Sequence, residues 1–297
     1  MKHIFNLLIV AFTATIAYGQ DYKTNFDKYC QEGDTSKQIE ILKKWESEDP
    51  NNPELFTSYF NYYFLKSRQE ALAISTQEPT GDGFSLQDST GKTVGYIGSE
   101  IHYEAQAFNK GIDKLNQGIK RYPDRLDMRF GKIYALGQNQ DWSKFTDEIL
   151  RTVQYSQQNH NQWTWTNNEK MEDGKDFLLS SLQDYQLTLY NTGNDTLLTN
   201  MRSIAQEILK HYPNHVESLS NISITYLLTG EYDKGIEHLL KAEKIAPTDA
   251  IVLGNIAQGY KLKGDKNRAI TYYEKVIQYG DERSKAYAKQ QIQELKQ

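Results

Sequence analysis

The sequence has little cysteine and no excess of basic residues. One cysteine among 297 residues means that no disulfide can form within the chain, so its stability must come from packing. The 34 Lys and Arg residues stand against 39 Asp and Glu residues, which gives a formal net charge of −5. This mildly acidic, well-mixed balance provides no basic stripe and gives no support to nucleic-acid binding.

Signatures of catalysis are also missing. The chain has no G-x-S-x-G nucleophile motif, no Walker phosphate loop and no H-E-x-x-H metalloprotease motif. His211 and His215 are four residues apart, but Pro213 lies between them and places them in a loop, and no carboxylate or cysteine completes a ligand set. We therefore predict no catalytic residue, no cofactor and no metal site.

The sequence begins with an apolar run. A short basic start precedes a mostly apolar stretch from Ile4 to Ile16, which is too short for a comfortable membrane span. Residues 17–19, Ala-Tyr-Gly, fit the small-x-small pattern of a signal-peptidase site. We therefore predict a signal peptide at residues 1–19, cleavage after Gly19, a secreted or periplasmic protein, and no transmembrane segment after cleavage. An uncleaved anchor is the alternative.

Residues 216–249 and 250–283 repeat each other at an offset of 34 residues. Apolar residues recur at helical spacing in both halves of each repeat, which predicts two helices per repeat. A glycine between the halves, Gly230 in the first repeat, suits a helix end and a tight turn. Small residues at Ser223 and Gly235 must face each other so that the two helix axes approach closely. The aligned pairs are Leu219 with Leu253, Ile222 with Ile256, Tyr226 with Tyr260, Leu239 with Tyr273, and Ala242 with Val276.

These residues resemble the tetratricopeptide repeat family, whose period is 34 residues. The resemblance implies an all-α fold, an α-α superhelical solenoid of helix pairs whose first helices line an inner groove. It also implies a non-enzymatic protein that binds protein or peptide partners, but it does not say which partner. The family pattern is met by Leu219, Ile222, Ser223, Tyr226, Gly235, Leu239, Ala242 and Pro247.

The same 34-residue frame extends over most of the chain. Residues 20–158 read as degenerate helix pairs, with one helix opening at Pro53, and residues 176–283 read as further repeats. Residues 284–297 form an amphipathic stretch that we expect to be a single helix covering the open end of the stack, as terminal caps must.

Two segments interrupt the frame. Alternating apolar residues on both sides of the turn at residues 88–91 predict an inserted β-hairpin at about residues 77–98, and the helical pattern resumes at Glu100. Residues 159–175 predict a polar loop that carries Trp163 and Trp165. Loops of this length are usually functional or mobile, so both interruptions are candidate binding elements.

Two groups of residues are candidates for contact with a peptide partner. Arg125, Arg129 and Lys132 form a basic cluster that could hold a carboxylate of a peptide; a solvated helix face is the alternative. Gln258 and Lys261 occupy inner positions of the last repeat, where the resemblance places the groove.

Aromatic residues in the two interruptions suggest a different partner. Trp163 and Trp165 alternate, so in an extended chain both rings would face one side and, with Tyr96 of the hairpin, could stack on a sugar. The alternative is that the tryptophans fold down and cover the helices. Our leading hypothesis is a protein–protein interaction scaffold, followed by a glycan-binding accessory protein of the cell envelope. An enzyme whose site is built by the insertions comes third.

Overall fold

The structure, a computed structural model, describes residues 14–76, 78 and 83–297, with side chains from Asp21 onward. The first helix, Ala14–Gln31, continues through the predicted cleavage point after Gly19. Residues 1–13 of the predicted signal peptide lie outside the described residues. Within the described ranges, no helix is long and apolar enough to cross a membrane.

Consecutive helices account for most of the described chain, and this confirms the predicted fold class of helix pairs with a small β insertion and a C-terminal helix. Two single-turn 3₁₀ helices, Thr166–Asn168 and Asp195–Leu197, lie in connections. The α-helices are α1 Ala14–Gln31, α2 Thr35–Glu48, α3 Pro53–Ser67, α4 Ala105–Arg121, α5 Leu126–Gln138, α6 Trp142–Gln158, α7 Gly174–Asn191, α8 Leu198–His211, α9 Val216–Leu228, α10 Tyr232–Ile245, α11 Ala250–Lys263, α12 Lys266–Tyr279 and α13 Glu282–Lys296.

The chain forms two compact units. The N-terminal unit comprises the residues up to Asp141 together with Trp163–Met171. The C-terminal unit comprises Trp142–Gln162 and Glu172–Gln297. The segment predicted as one polar loop at residues 159–175 is therefore divided, and its two tryptophans belong to the N-terminal unit.

Side-chain caps set several helix starts. Asn52 caps α3 by accepting a hydrogen bond from the backbone N–H of Glu54, and Pro53 takes the first helical position, where its missing N–H costs nothing. Asp249 caps α11 in the same way. Gly264 ends α11 at a φ of 85°, a left-handed conformation that glycine adopts without strain.

The close helix approach predicted at Gly235 is confirmed. A Cβ atom on Gly235 would lie 2.8 Å from Cδ2 of Leu227 and 3.1 Å from the backbone oxygen of Ser223. The helices α9 and α10 therefore touch where both carry a small residue, as the repeat pattern requires. Around this contact lies an apolar core whose buried members include Leu219, Ile236, Leu239, Leu253, Ile256 and Tyr273.

The insertion contains the predicted hairpin around the turn at residues 88–91, but a third strand makes it an antiparallel sheet that extends beyond residues 77–98 on both sides. Its strands are β1 Arg68–Ser75, β2 Gly83–Gln87 and β3 Thr93–Tyr103, in the spatial order β1-β3-β2. Strand β1 reads RQEALAIS, and its Glu, Ala and Leu residues favour a helix locally. Pairing with β3 along its whole length overrides that preference, because strand propensity depends strongly on context. Helix α4 consequently starts at Ala105 and not at Glu100.

The sheet is anchored to the helices at one end. Tyr103, the last residue of β3, stacks on Phe64 of α3 with ring centroids 5.1 Å apart and also contacts Phe108 of α4. The N–H of Glu104 donates a 2.7 Å hydrogen bond to the backbone oxygen of Ser67. The Glu104 carboxylate caps α4 by accepting bonds from the N–H groups of Ala107 and Gln106, and these bonds lower the pKa of that carboxyl group.

Candidate functional site

Arg125 is buried in a network of the chain's own carboxylates and is not an exposed residue of a binding face. Its side chain is only 1% exposed, and Nη1 donates a 2.7 Å hydrogen bond to Oε1 of Glu54 in the first turn of α3. Its other edge forms a bidentate pair with Asp127, with distances of 2.8 Å and 2.7 Å. Burial disfavours the charged guanidinium, but the two carboxylates outweigh that effect and raise the pKa of Arg125.

The loop that follows α6 supplies the rest of this network. Asn167 adopts a left-handed conformation with φ 61°, and its N–H donates a 2.8 Å bond to the same Glu54 oxygen that Arg125 contacts. The Oδ1 atom of Asn168 accepts a 3.3 Å bond from Nη1 of Arg125. Thr164 exchanges backbone hydrogen bonds with Asp124 and Leu126. The loop is therefore fastened to α3 and to the start of α5.

The same loop covers the predicted basic cluster, and the predicted tryptophan pair lies within the loop itself. Arg129 is also buried, donates two 3.2 Å bonds to the backbone oxygen of Pro123, and lies 5.9 Å from the ring centroid of Trp163. Trp163 is 1% exposed, whereas Trp165 is half-buried and meets Phe130 edge to face. Lys132 is half-buried on α5. Hence neither an exposed carboxylate-binding cluster nor a sugar-stacking platform of two tryptophans is present here.

The remaining predicted contact residues lie far apart in the sequence and in different units. Gln258 accepts a 3.0 Å hydrogen bond from the hydroxyl of Tyr273. The ammonium of Lys261 pairs with Glu294 at 3.1 Å and also bonds Gln291, so α11 is tied to α13. Tyr96 is half-buried on β3, between Ser75 and Ser85 of the two neighbouring strands. Both inner residues of the last repeat are thus used in contacts between the chain's own helices.

An acidic cleft opens on the C-terminal unit between α7 and α9. Both are first helices of successive pairs, and the cleft between them has a volume of about 470 Å³. We call it the acidic cleft because three of its lining side chains are carboxylates. Its lining residues are Asp176, Leu179, Ser180, Gln183 and Asp184 of α7, with His215 and Glu217 at the start of α9.

His215 adds no positive charge to the acidic cleft near neutral pH. Burial, with help from Lys175 and against the opposing effect of Glu217, lowers the pKa of the imidazole below its ordinary value of 6.5. Its Nδ1 lies 2.8 Å from the hydroxyl of Ser218, and its Nε2 lies 3.2 Å from a Glu217 oxygen. The cleft therefore stays net negative and suits a cationic group of a ligand.

A pair of amides bridges the two helices that line the acidic cleft. Nδ2 of Asn221 donates a 2.5 Å bond to Oε1 of Gln183, and Nε2 of Gln183 donates a 3.4 Å bond back to Oδ1 of Asn221. Asn221 is buried, so this reciprocal contact joins α7 to α9 at a fixed separation. The carboxylates beside it are consequently carried on a rigid support.

A second, apolar cleft lies at the other end of α7. It has a volume of about 380 Å³, and its polar lining includes the turn that follows the helix. Tyr190 and Leu228 are partly exposed here, and Leu228 ends α9. The α7–α9 pair thus presents an acidic cleft at its start and an apolar cleft at its end. The apolar cleft is lined by Leu189, Tyr190, Asn191, Gly193, Asn194, Asp195, Leu198, Met201 and Leu228.

Sequence reasoning missed most of the acidic cleft. His215 was interpreted only as a loop residue. A usable signal was present, because Asp176, Ser180, Gln183 and Asp184 recur at helical spacing on α7 and mark one polar face. Within the described residues, no group of three or more His, Cys, Asp or Glu side chains is placed to hold a metal ion.

Comparison with known proteins identifies the repeats. A family model for the tetratricopeptide repeat matches residues 216–249 and 250–279. Residues 216–279 are therefore tetratricopeptide repeats, and the predicted repeat frame is confirmed there, with the second match ending where α12 ends. Proteins of this class are generally non-enzymatic and bind protein or peptide partners. None of the curated protein sequences compared matches the chain.

Solved structures that resemble the chain are distant. YrrB, a TPR protein described with an unusual peptide-binding site, has a TM-score of 0.43 at 12% identity, covering 84% of this chain and 97% of YrrB. The C-terminal part of a TPR repeat-containing protein from Cytophaga hutchinsonii has a TM-score of 0.46 at 13% identity, covering 89% and 78% of the two chains. A tetratricopeptide repeat protein from Parabacteroides merdae has a TM-score of 0.37 at 11% identity, covering 95% and 100%. At such distances no site is transferred to this chain.

Proposed function

We propose that this chain is a non-enzymatic scaffold that binds a peptide or protein segment along the groove between α7 and α9. The observation that carries the proposal is the placement of an acidic cleft and an apolar cleft at the two ends of one helix pair. Two chemically different clefts on one rigid element can fix both the position and the direction of a bound segment. Concave sites lined by apolar side chains with a few placed polar groups are the usual form of a binding site.

The two clefts define the chemistry of the bound segment. The carboxylates of Asp176, Asp184 and Glu217 suit a Lys or Arg side chain, and the exposed faces of Tyr190 and Leu228 suit an apolar one. From Gln183 to Tyr190 the helix rises about 10 Å, and an extended peptide covers that length in about three residues. The preferred motif therefore has a basic residue and an apolar residue about three positions apart.

A peptide array tests this function directly. We expect the purified chain to retain peptides that carry a basic and an apolar residue at this spacing, with binding that weakens as salt is added. The double variant D184N/E217Q should raise the dissociation constant about tenfold, since each partly exposed charge pair contributes up to about 1 kcal/mol. Glu237→Gln on α10 removes a carboxylate outside the lining of both clefts and serves as the control.

Three outcomes of the peptide array can be distinguished. Loss of affinity in D184N/E217Q with wild-type affinity in Glu237→Gln supports the acidic cleft as the site. Equal affinity in all three proteins places the peptide elsewhere on the chain. An array without any retained peptide contradicts peptide binding altogether.

The proposed location is the periplasm or the cell exterior. The support is the N-terminal pattern of a short basic start, an apolar run and Ala-Tyr-Gly at residues 17–19. Expression of the full chain in a bacterial host, followed by fractionation and N-terminal sequencing, tests it. A mature protein that begins at Gln20 in the periplasmic fraction is expected, and an unprocessed chain in the cytoplasmic fraction would contradict it.

A further inference from the structure

One face of the inserted sheet is apolar and open to solvent. The strand register places Ile74, Ile97 and Phe84 directly side by side, so the three share a face. Leu72 and Ile101 lie two and four positions along their strands from this row and share the same face. Leu72 is 82% exposed, Ile74 76% and Phe84 78%. We refer to these five residues as the apolar sheet face.

Among the described residues, the contact found with this face is at its base. Tyr103 lies on the same side of β3 as Ile101, and its ring is stacked on Phe64. Two residues before Tyr103, Ile101 is already exposed, and Leu72, Ile74 and Phe84 on the outer strands are more exposed still, whereas Ile97 in the central strand is half-buried. Ser99 lies between Ile97 and Ile101 on this face, beside Leu72. An apolar set that remains this open on a folded protein marks an interaction surface.

The apolar sheet face is complementary to itself. Ile97 occupies the central strand, with one large apolar residue, Ile74 or Phe84, on each side. A two-fold axis parallel to the strands and in front of Ile97 would bring Ile74 of each copy over Phe84 of the other. Contacts of this reciprocal kind define isologous dimers, which are the commonest symmetric assemblies. Face-to-face packing is also the ordinary way in which antiparallel sheets bury an apolar face.

We propose that two copies of this chain associate face to face through the apolar sheet face. Each of the large exposed side chains carries on the order of 100–200 Å² of surface, so each copy can bury about 500 Å². The total of about 1,000 Å² reaches the lower limit for a specific interface. A dimer with an interface of this size is expected to be reversible and concentration-dependent.

The end of the sheet nearest the helices carries charges that permit such a pairing, with Glu70 directly beside Ile101 in the strand register. Arg68 and Glu70 lie on the same side of β1 and form an exposed ion pair 3.5 Å apart. Because both signs are present, two identical faces do not repel each other as two faces of one sign would. The association uses no residue of the acidic or apolar cleft, so the test of dimerisation is independent of the test of peptide binding.

Sedimentation velocity on the purified full chain over a range of concentrations tests the dimer. Wild-type chain should shift from the monomer to the dimer coefficient as concentration rises. The double variant I74T/F84T replaces two apolar side chains with residues that keep strand propensity, and it should raise the dissociation constant at least tenfold. Tyr96→Thr changes the opposite face of the central strand and should dimerise as the wild type does. Far-UV circular dichroism on each variant reports whether the fold is kept.

Cross-linking provides a second measurement that does not depend on the double variant. In a Cys30→Ser background, I97C places a thiol next to the proposed axis and should form a covalent dimer on mild oxidation. Y96C, on the opposite face, should form no covalent dimer. The proposal is overturned if wild-type chain stays monomeric at the highest soluble concentration. It is also overturned if folded I74T/F84T dimerises as tightly as wild type, or if Y96C cross-links as efficiently as I97C.

Discussion

Nη1 of Arg125 lies 2.7 Å from Oε1 of Glu54, a residue that is 71 positions earlier in the chain. Both side chains are buried, and the pair joins the start of α3 to the residue that precedes α5. The loop that carries Asn167 and Asn168 closes over the pair with two further hydrogen bonds. Three segments of the N-terminal unit therefore depend on one buried guanidinium and its carboxylates.

Removing Glu54 should destabilise the protein strongly. In Glu54→Ala the Arg125 charge keeps Asp127 but loses its other carboxylate, and a buried pair broken on one side costs about 3–5 kcal/mol. Glu54→Gln keeps an oxygen that can accept from Arg125 and Asn167, so its cost should be smaller. The free energy of unfolding from urea titrations measures both. Glu237→Ala removes an exposed carboxylate and should have little effect; an equal effect of Glu54→Ala and Glu237→Ala would contradict a structural role for the buried pair.

The two tryptophans of the same loop should differ in their contribution to stability. Trp163 is buried, so Trp163→Ala leaves a cavity and should cost about 3–5 kcal/mol. Trp165 is half-buried against Phe130, so Trp165→Ala should cost clearly less. Each variant is the other's control because both lie in one loop and lose the same side chain. Urea titrations that gave equal losses would contradict the placement of the two rings.

The sequence predicts the parts of this fold that repeat and misses those that depend on distant partners. The residues around Gly235 share a 34-residue period with the next repeat, so the packing of α9 against α10 could be predicted from the spacing of residues in the sequence. Arg125 was expected on a surface because nothing near it in the sequence indicates that Glu54 lies beside it. Strand β1 carried helix-forming residues, and only its pairing with β3 shows that it is a strand. The acidic cleft was missed for the same reason, since it joins α7 to residues about 30 positions later.

Two glycines in neighbouring repeats should respond in opposite directions to the same substitution. A Cβ atom at Gly235 meets Leu227 and the Ser223 backbone at 2.8–3.1 Å, so Gly235→Ala should destabilise the chain and Gly235→Leu should cost about 1–3 kcal/mol. At Gly254, inside α11, the nearest atom is Cγ2 of Val276 at 3.9 Å, an ordinary contact. Gly254→Ala should therefore stabilise the helix by about 0.5–1 kcal/mol. Thermal melts of both alanine variants measure the contrast, and a rise in Tm for Gly235→Ala would contradict the close approach.

The stability of the C-terminal unit should fall as the pH is lowered through the range of histidine titration. Burial lowers the pKa of both His215 and His238 below 6.5, so the unfolded chain binds protons that the folded chain does not. The contribution of the two neutral histidines to stability is then fully present above about pH 6.5. It decreases as the pH falls toward their lowered folded-state pKa values.

Single substitutions assign this pH dependence to its residues. His215→Gln should lower the free energy of unfolding at all pH values, because it loses the contact with Ser218, but it should also flatten the decrease between pH 8 and pH 5. His238→Gln should flatten the part of this decrease that comes from protonation of the His238 imidazole, which is stacked on Tyr226. Urea titrations at a series of pH values measure the slope separately from the absolute stability. If both variants keep the wild-type slope, other groups carry the pH dependence, and the neutral state of His215 in the acidic cleft is not supported.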